Sequence, residues 1–140
     1  MNLKLTTAQK VIITLLVLAC SVAGFMIKLP AMFRKHDLEM HAAFYFTAAA
    51  FFTLLFAGRN FWIHLFILVV LAAFGAGIEY AQEYSNQLVH RRIHGRFDPE
   101  DVKYNIMGLL AFSAIWGTYL LGAWLVRSSQ PVKKTVEEKL

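Results

Sequence analysis

This chain has one cysteine and few charges, and each scarcity excludes something. Cys20 has no partner in the chain, so no internal disulfide can hold the fold. It reads as a small, buried, inert side chain. Only 16% of the 140 residues are charged, 58% are hydrophobic and mean hydropathy is +0.51, far too apolar for a soluble domain of this length. There is no Gly-rich phosphate loop, no Gly-x-Ser-x-Gly elbow and no Cys-x-x-Cys pair. Residues 61–71 lack the period-two alternation of a lipid-facing β-barrel. No internal repeat is visible, which argues against a transporter built from inverted repeats. The basic balance, pI ≈ 9.5, comes from Lys and Arg flanking apolar runs, so nucleic acid is not an expected partner.

What is present is four apolar runs, at residues 11–27, 42–56, 61–78 and 106–126. A span needs about 20 mostly apolar residues, so the second and third suffice only if the polar residues beside them join the same helices. Helices satisfy their own backbone groups in lipid, and the expected fold is all-α: an integral membrane bundle of four transmembrane helices. The membrane domain is read as residues 1–127, with a loose, charged tail at 128–140. The first run continues past Cys20 to Ile27, longer than a signal segment, and is read as a retained helix. Gly58-Arg59-Asn60 reads as a tight turn, residues 28–36 as a short loop and residues 85–97 as the one long loop. Asp98-Pro99-Glu100-Asp101 is a helix start, with Asp as N-cap and Pro at the first position.

Three runs carry a polar stripe at one end. Asp37, His41 and Tyr45 open the second helix; Glu79, Gln82 and Glu83 close the third; Asp98, Asp101 and Asn105 open the fourth. Residues three or four apart share a helix face. If each run crosses once, all three ends lie on one side of the membrane. Ionisable groups near hydrocarbon are costly, so they face a bundle interior and mark a site. Gly75, Ala76 and Gly108 lie on the same faces as the stripes, where small residues let backbones approach. Gly75 and Ala76 are therefore expected to tolerate only small residues, whereas Leu68 is assigned to lipid. The plainer reading is that these polar groups cap helix ends at the interface. It suits Asp98 and Glu100, and competes evenly for Tyr45, since tyrosine anchors at headgroup level. It is weaker for His41, Glu79, Gln82, Asp101 and Asn105, which converge from three helices.

Orientation is a finer matter. Seven Lys and Arg fall on each side, so the basic count does not decide. Seven of the nine acids fall on the stripe side and neutralise its positives. The unpaired positives on the terminal side favour cytoplasmic termini.

Three segments resemble the VanZ-like membrane proteins. Asp37, His41 and Tyr45 at four-residue steps resemble the family's first signature, and Glu79-Tyr80-Ala81-Gln82 resembles its Glu-x-x-Gln element. Arg96, Asp98, Asp101, Asn105 and Gly108 match its last series in register. The resemblance spans about residues 37–124. It departs from the pattern at Leu38, where the family commonly carries Lys, and Lys35 is the nearest substitute. The resemblance implies a small, multi-pass protein of the bacterial cytoplasmic membrane. It also implies a link to teicoplanin susceptibility, but no settled molecular activity.

Three function classes follow. In the first, the site binds or modifies an anionic, lipid-linked envelope component. Arg96, Arg91 and Arg92 would clamp its phosphate or carboxylate. His41 with Glu79 or Asp101 would act as acid and base, and Asp37, Tyr45, Gln82, Asp98 and Asn105 would line the binding site. In the second, the cluster is structural or meets a partner protein, and the chain is a non-catalytic scaffold. In the third, His41, Glu79 and Asp101, with His90 or His94, hold a metal, although no zincin motif is present. Membrane lipids are the expected partners, and no cofactor is called for.

Overall fold

The computed structural model describes residues 5–26, 36–90 and 96–129. Its elements are four helices: α1 (Thr7–Met26), α2 (Asp37–Phe52, prolonged by a π-helical turn over Thr53–Ala57), α3 (Phe61–Leu88) and α4 (Pro99–Ser128). Each, with the π turn counted in α2, is long and apolar enough to cross a membrane. The polar ends do belong to the helices, as the length argument requires. α3 also runs further than expected, to Leu88, so the connection expected at 85–97 begins later. Residues 28–35 of the loop expected at 28–36 and most of the tail expected from 128 lie outside the described residues, as do Arg91, Arg92, His94 and Lys35.

Local chemistry sets the boundaries. The Asp98 side chain accepts from the Glu100 N–H at 2.8 Å, with Pro99 at the first position, as the sequence predicts. Asn60 caps α3 by accepting from the Ile63 N–H at 3.1 Å. Gly58, with φ +55°, makes the turn between α2 and α3 at a backbone angle that favours glycine.

Side-chain pairings fix the topology. Asp101 and Asn105, opening α4, meet His41 near the start of α2. His64, early in α3, meets Thr53 at the end of α2 and Ser113 midway along α4. Lys10, early in α1, donates to the Leu55 carbonyl at 2.7 Å, while Phe25 near its end packs on His41. α1 and α3 therefore run one way and α2 and α4 the other. The start of α2, the end of α3 and the start of α4 share one end of the bundle.

α2 and α4 make the closest seam. A Cβ placed on Gly108 would collide with the backbone carbonyl of Ala42. Below this contact Tyr45, Ala48, Ala49 and Phe52 of α2 pack with Leu109, Phe112 and Trp116 of α4 and Leu71 of α3. Leu68 packs against this core and is half-buried, which corrects its assignment to lipid. It is Val69 and Val70 that point outward. α1 has no buried residue, and Cys20 on it is exposed, correcting the expectation of a buried thiol.

The outer surface is apolar along its length, with Leu15, Phe66, Leu110 and Leu121 among its exposed side chains. Such a surface is stable against lipid rather than water. Exposed aromatics mark both ends: Tyr80 and Tyr84 stack beside the polar cluster, and Phe61, Trp62, Tyr119 and Trp124 lie at the other end. Tyrosine and tryptophan favour the membrane–water boundary. About 27 Å of helix separates Trp62 from Tyr80 at ~1.5 Å per residue, close to the ~30 Å of a hydrocarbon core.

Candidate functional site

The stripes converge. His41 is buried on α2, Glu79 is 1% exposed on α3, and Asn105 is 1% exposed on α4, with Asp101 one turn before it. His41 Nδ1 and Asn105 Oδ1 are 2.9 Å apart. His41 Nε2 lies 3.9 Å from Asp101 Oδ1, close enough to attract and too far for a hydrogen bond. One ligand atom from each of His41, Glu79 and Asp101 can be chosen so that all lie within 4.8 Å of one another. Small residues make this approach possible. A Cβ on Gly75 would stand 2.8 Å from both the Tyr45 hydroxyl and Asn105 Nδ2, so both groups sit in the space that this glycine leaves.

The hydrogen bonding orders the site in one direction only. With the Asn105 carbonyl toward the imidazole, Nδ1–H is the donor and Nε2 turns its lone pair toward the carboxylates. The Asp98 backbone N–H faces the Glu79 carboxylate. Yet Glu79 Oε2, the Tyr45 hydroxyl and Asn105 Nδ2 are buried and, among the described residues, have no hydrogen-bond partner. Unsatisfied buried polar groups cost about 1–3 kcal/mol each and are rare. Asp37 stands half-buried one turn before His41, near enough for its charge to act on both Glu79 and Asp101. The cluster is thus acidic. Among the described residues its carboxylates form no ion pair with Lys or Arg.

Other expected members sit elsewhere. Gln82 points away from the carboxylates: its amide donates to the Phe25 carbonyl at 2.8 Å and ties α3 to α1. Arg96 is exposed and makes no ion pair with Glu79 or Asp101, so it does not fold back over the cluster. The Asp98 side chain is spent on its cap. Tyr45 is fully buried, which removes the headgroup-anchor reading for it. His90 is exposed in the turn after α3, with φ 51°, and is no part of the cluster.

Two features escape a periodicity argument. Phe25, from α1, covers the site: its ring centroid lies 5.4 Å from that of His41 and 6.3 Å from that of Tyr45. Nothing in an apolar run distinguishes such a phenylalanine from its neighbours. The second is a buried polar network toward the opposite end. Ser113 donates its hydroxyl proton to the Leu109 carbonyl, so its oxygen accepts from His64 Nε2–H at 3.0 Å. His64 Nδ1 then accepts from the Thr53 hydroxyl at 2.9 Å. The ring stacks on Trp116 at 4.1 Å, and the Trp116 indole N–H donates to the Gly58 carbonyl at 3.3 Å. Both nitrogens of His64 are satisfied by protein, whereas the His41 cluster keeps three polar atoms without partners. The two histidines thus differ in how far the protein satisfies the polar groups around them.

No family model, no curated protein and no solved structure matches the chain.

Proposed function

We propose that this is a VanZ-like protein of the bacterial cytoplasmic membrane, and that the His41–Glu79–Asp101 site binds the headgroup of a lipid-linked envelope component. The observation that carries this reading is the set of buried, partnerless polar atoms on Glu79, Tyr45 and Asn105 beside His41. A structural cluster pairs its members, as the His64 network does. A binding site keeps hydrogen-bonding capacity for something else. Its level supports a headgroup rather than an acyl chain, since Glu79 lies beside the outward tyrosines Tyr80 and Tyr84. The acidic interior suits hydroxyl or amine groups, and a phosphate on the same ligand would lie outward, toward exposed Arg96 and Lys103. His41, oriented by Asn105, presents a lone pair suited to taking a proton from a bound hydroxyl. The termini are assigned to the cytoplasm and the site to the outer face, on the unpaired positives of the terminal side.

The test is co-purification in a mild detergent, with extracted lipids compared by mass spectrometry between the wild type and Glu79→Gln. Enrichment of a polyprenyl-phosphate-linked saccharide with the wild type alone is expected. Equal lipid content in the two preparations would remove the headgroup reading. Teicoplanin susceptibility of cells expressing wild type or His41→Ala provides the cellular counterpart. A shift with the wild type that disappears in the variant, at equal expression, is the expected outcome.

A further inference from the structure

We infer that His41, Glu79 and Asp101 form a site for one divalent transition-metal ion. This deepens the headgroup site and rests on that reading only for what the ion would do there. Binding of the ion stands on the geometry alone.

Four observations carry it. The three side chains offer one imidazole nitrogen and two carboxylate oxygens within 4.8 Å of one another. Donors held at about 2.0–2.2 Å in a tetrahedral set stand ~3.3–3.6 Å apart, so closing the set draws the ligand atoms together by roughly 1 Å, a movement that side-chain torsions can supply. Next, the free nitrogen faces the right way. His41 gives its Nδ1–H to Asn105, which leaves Nε2 as a ligand beside Asp101 Oδ1. Metal-bound histidines almost always donate their other nitrogen in this manner, which fixes ring orientation and raises basicity. Third, Glu79 Oε2 is buried without a hydrogen-bond partner among the described residues. Finally, Asp37 adds a third carboxylate, and no Lys or Arg among the described residues pairs with the group. Buried charges are normally paired or coordinate metals.

One nitrogen with two oxygens suits Zn²⁺, Mn²⁺ or Fe²⁺ better than Ca²⁺ or Mg²⁺, which prefer all-oxygen sets. Three protein ligands leave a position open. With the ion bound, His41 Nε2 would be its ligand rather than a base, and the open position would take a hydroxyl or amine of the headgroup, with the phosphate still outward.

The experiment uses full-length protein in detergent, stripped of lipid and of metal, then dialysed against Zn²⁺ or Mn²⁺ and assayed by elemental analysis. About one equivalent is expected in the wild type, with a raised Tm. His36→Gln and His90→Gln, which remove exposed histidines, should leave that equivalent in place. Glu79→Gln and His41→Gln should each lose it. X-ray absorption of the Zn²⁺-loaded wild type should fit one imidazole among oxygen donors, a measurement that needs no variant to fold. No bound equivalent, retention in Glu79→Gln, or a sulfur donor or second imidazole in the absorption fit would each overturn the site. Metal uptake without lipid enrichment would keep this inference and remove the headgroup reading. Lipid enrichment without metal would do the reverse.

Discussion

His41 on α2 and Asn105 on α4 share a 2.9 Å hydrogen bond between residues that are 64 apart in the chain, with Gly108 pressed against the Ala42 backbone one turn deeper. The polar contact and the backbone contact belong to one seam. The site is therefore only as well placed as the packing beneath it, and the first expectations concern that packing.

Gly108→Ala should be among the most damaging single changes. Its Cβ would meet backbone, which cannot rotate away, and overpacking of this kind costs about 1–3 kcal/mol. Gly117→Ala and Gly122→Ala, where nothing lies within 4 Å, should be neutral or slightly stabilising through helix propensity. Thermal melts of the three variants in one detergent check the order. Equal melting temperatures would contradict the α2–α4 seam.

Gly75→Ala differs in kind. Its Cβ would meet the ends of the Tyr45 and Asn105 side chains at 2.8 Å, and side chains can shift. A smaller loss of stability than at Gly108 is expected, together with a loss of ligand or metal binding. Binding unchanged at wild-type stability would show that the Gly75 surface does not shape the site.

His64→Ala should lower stability by about 2–4 kcal/mol, because it leaves Thr53 and Ser113 without their partner and opens space beside Trp116. Metal binding by the folded fraction should persist. His41→Ala should show the opposite pattern, with binding abolished at a smaller cost in stability. A chemical-denaturation series on both variants, paired with metal titration, separates the two histidines.

Cysteines introduced at exposed Gln87 and Ser129, in a Cys20→Ala background, should react with an impermeant thiol reagent from opposite sides of the membrane. With the assigned orientation, position 87 labels in intact cells and position 129 only after permeabilisation. Labelling of both from one side would contradict the four crossings.

The sequence exposes the site unevenly, for a physical reason. Helical spacing states which residues share a face, so the Asp37–His41–Tyr45 and Asp101–Asn105–Gly108 rows are legible in the sequence alone. Cap chemistry likewise marks Asp98 and Pro99, because it depends on residues adjacent in the chain. Spacing does not say what stands opposite a face. Gln82 lies near Glu79 in sequence but turns to the Phe25 carbonyl, and Arg96 lies near Asp98 but turns to solvent. Phe25 and His64 are invisible for a related reason. Each gains its role from partners on other helices, and neither belongs to a polar stripe. The π-helical turn at Thr53–Ala57 has no sequence signature here, yet it ends beside Gly58, whose carbonyl receives the Trp116 indole.

The contact of Gly108 with the Ala42 carbonyl also acts as an index mark. Two smooth apolar helices in lipid can slide, because the hydrocarbon outside is as welcoming as the neighbour inside. Sliding α4 by one turn would shift Asn105 about 5.4 Å along the bundle, out of reach of His41, and drive a side chain into the Ala42 backbone. A residue with no side chain thus sets the register in which two distant polar residues meet.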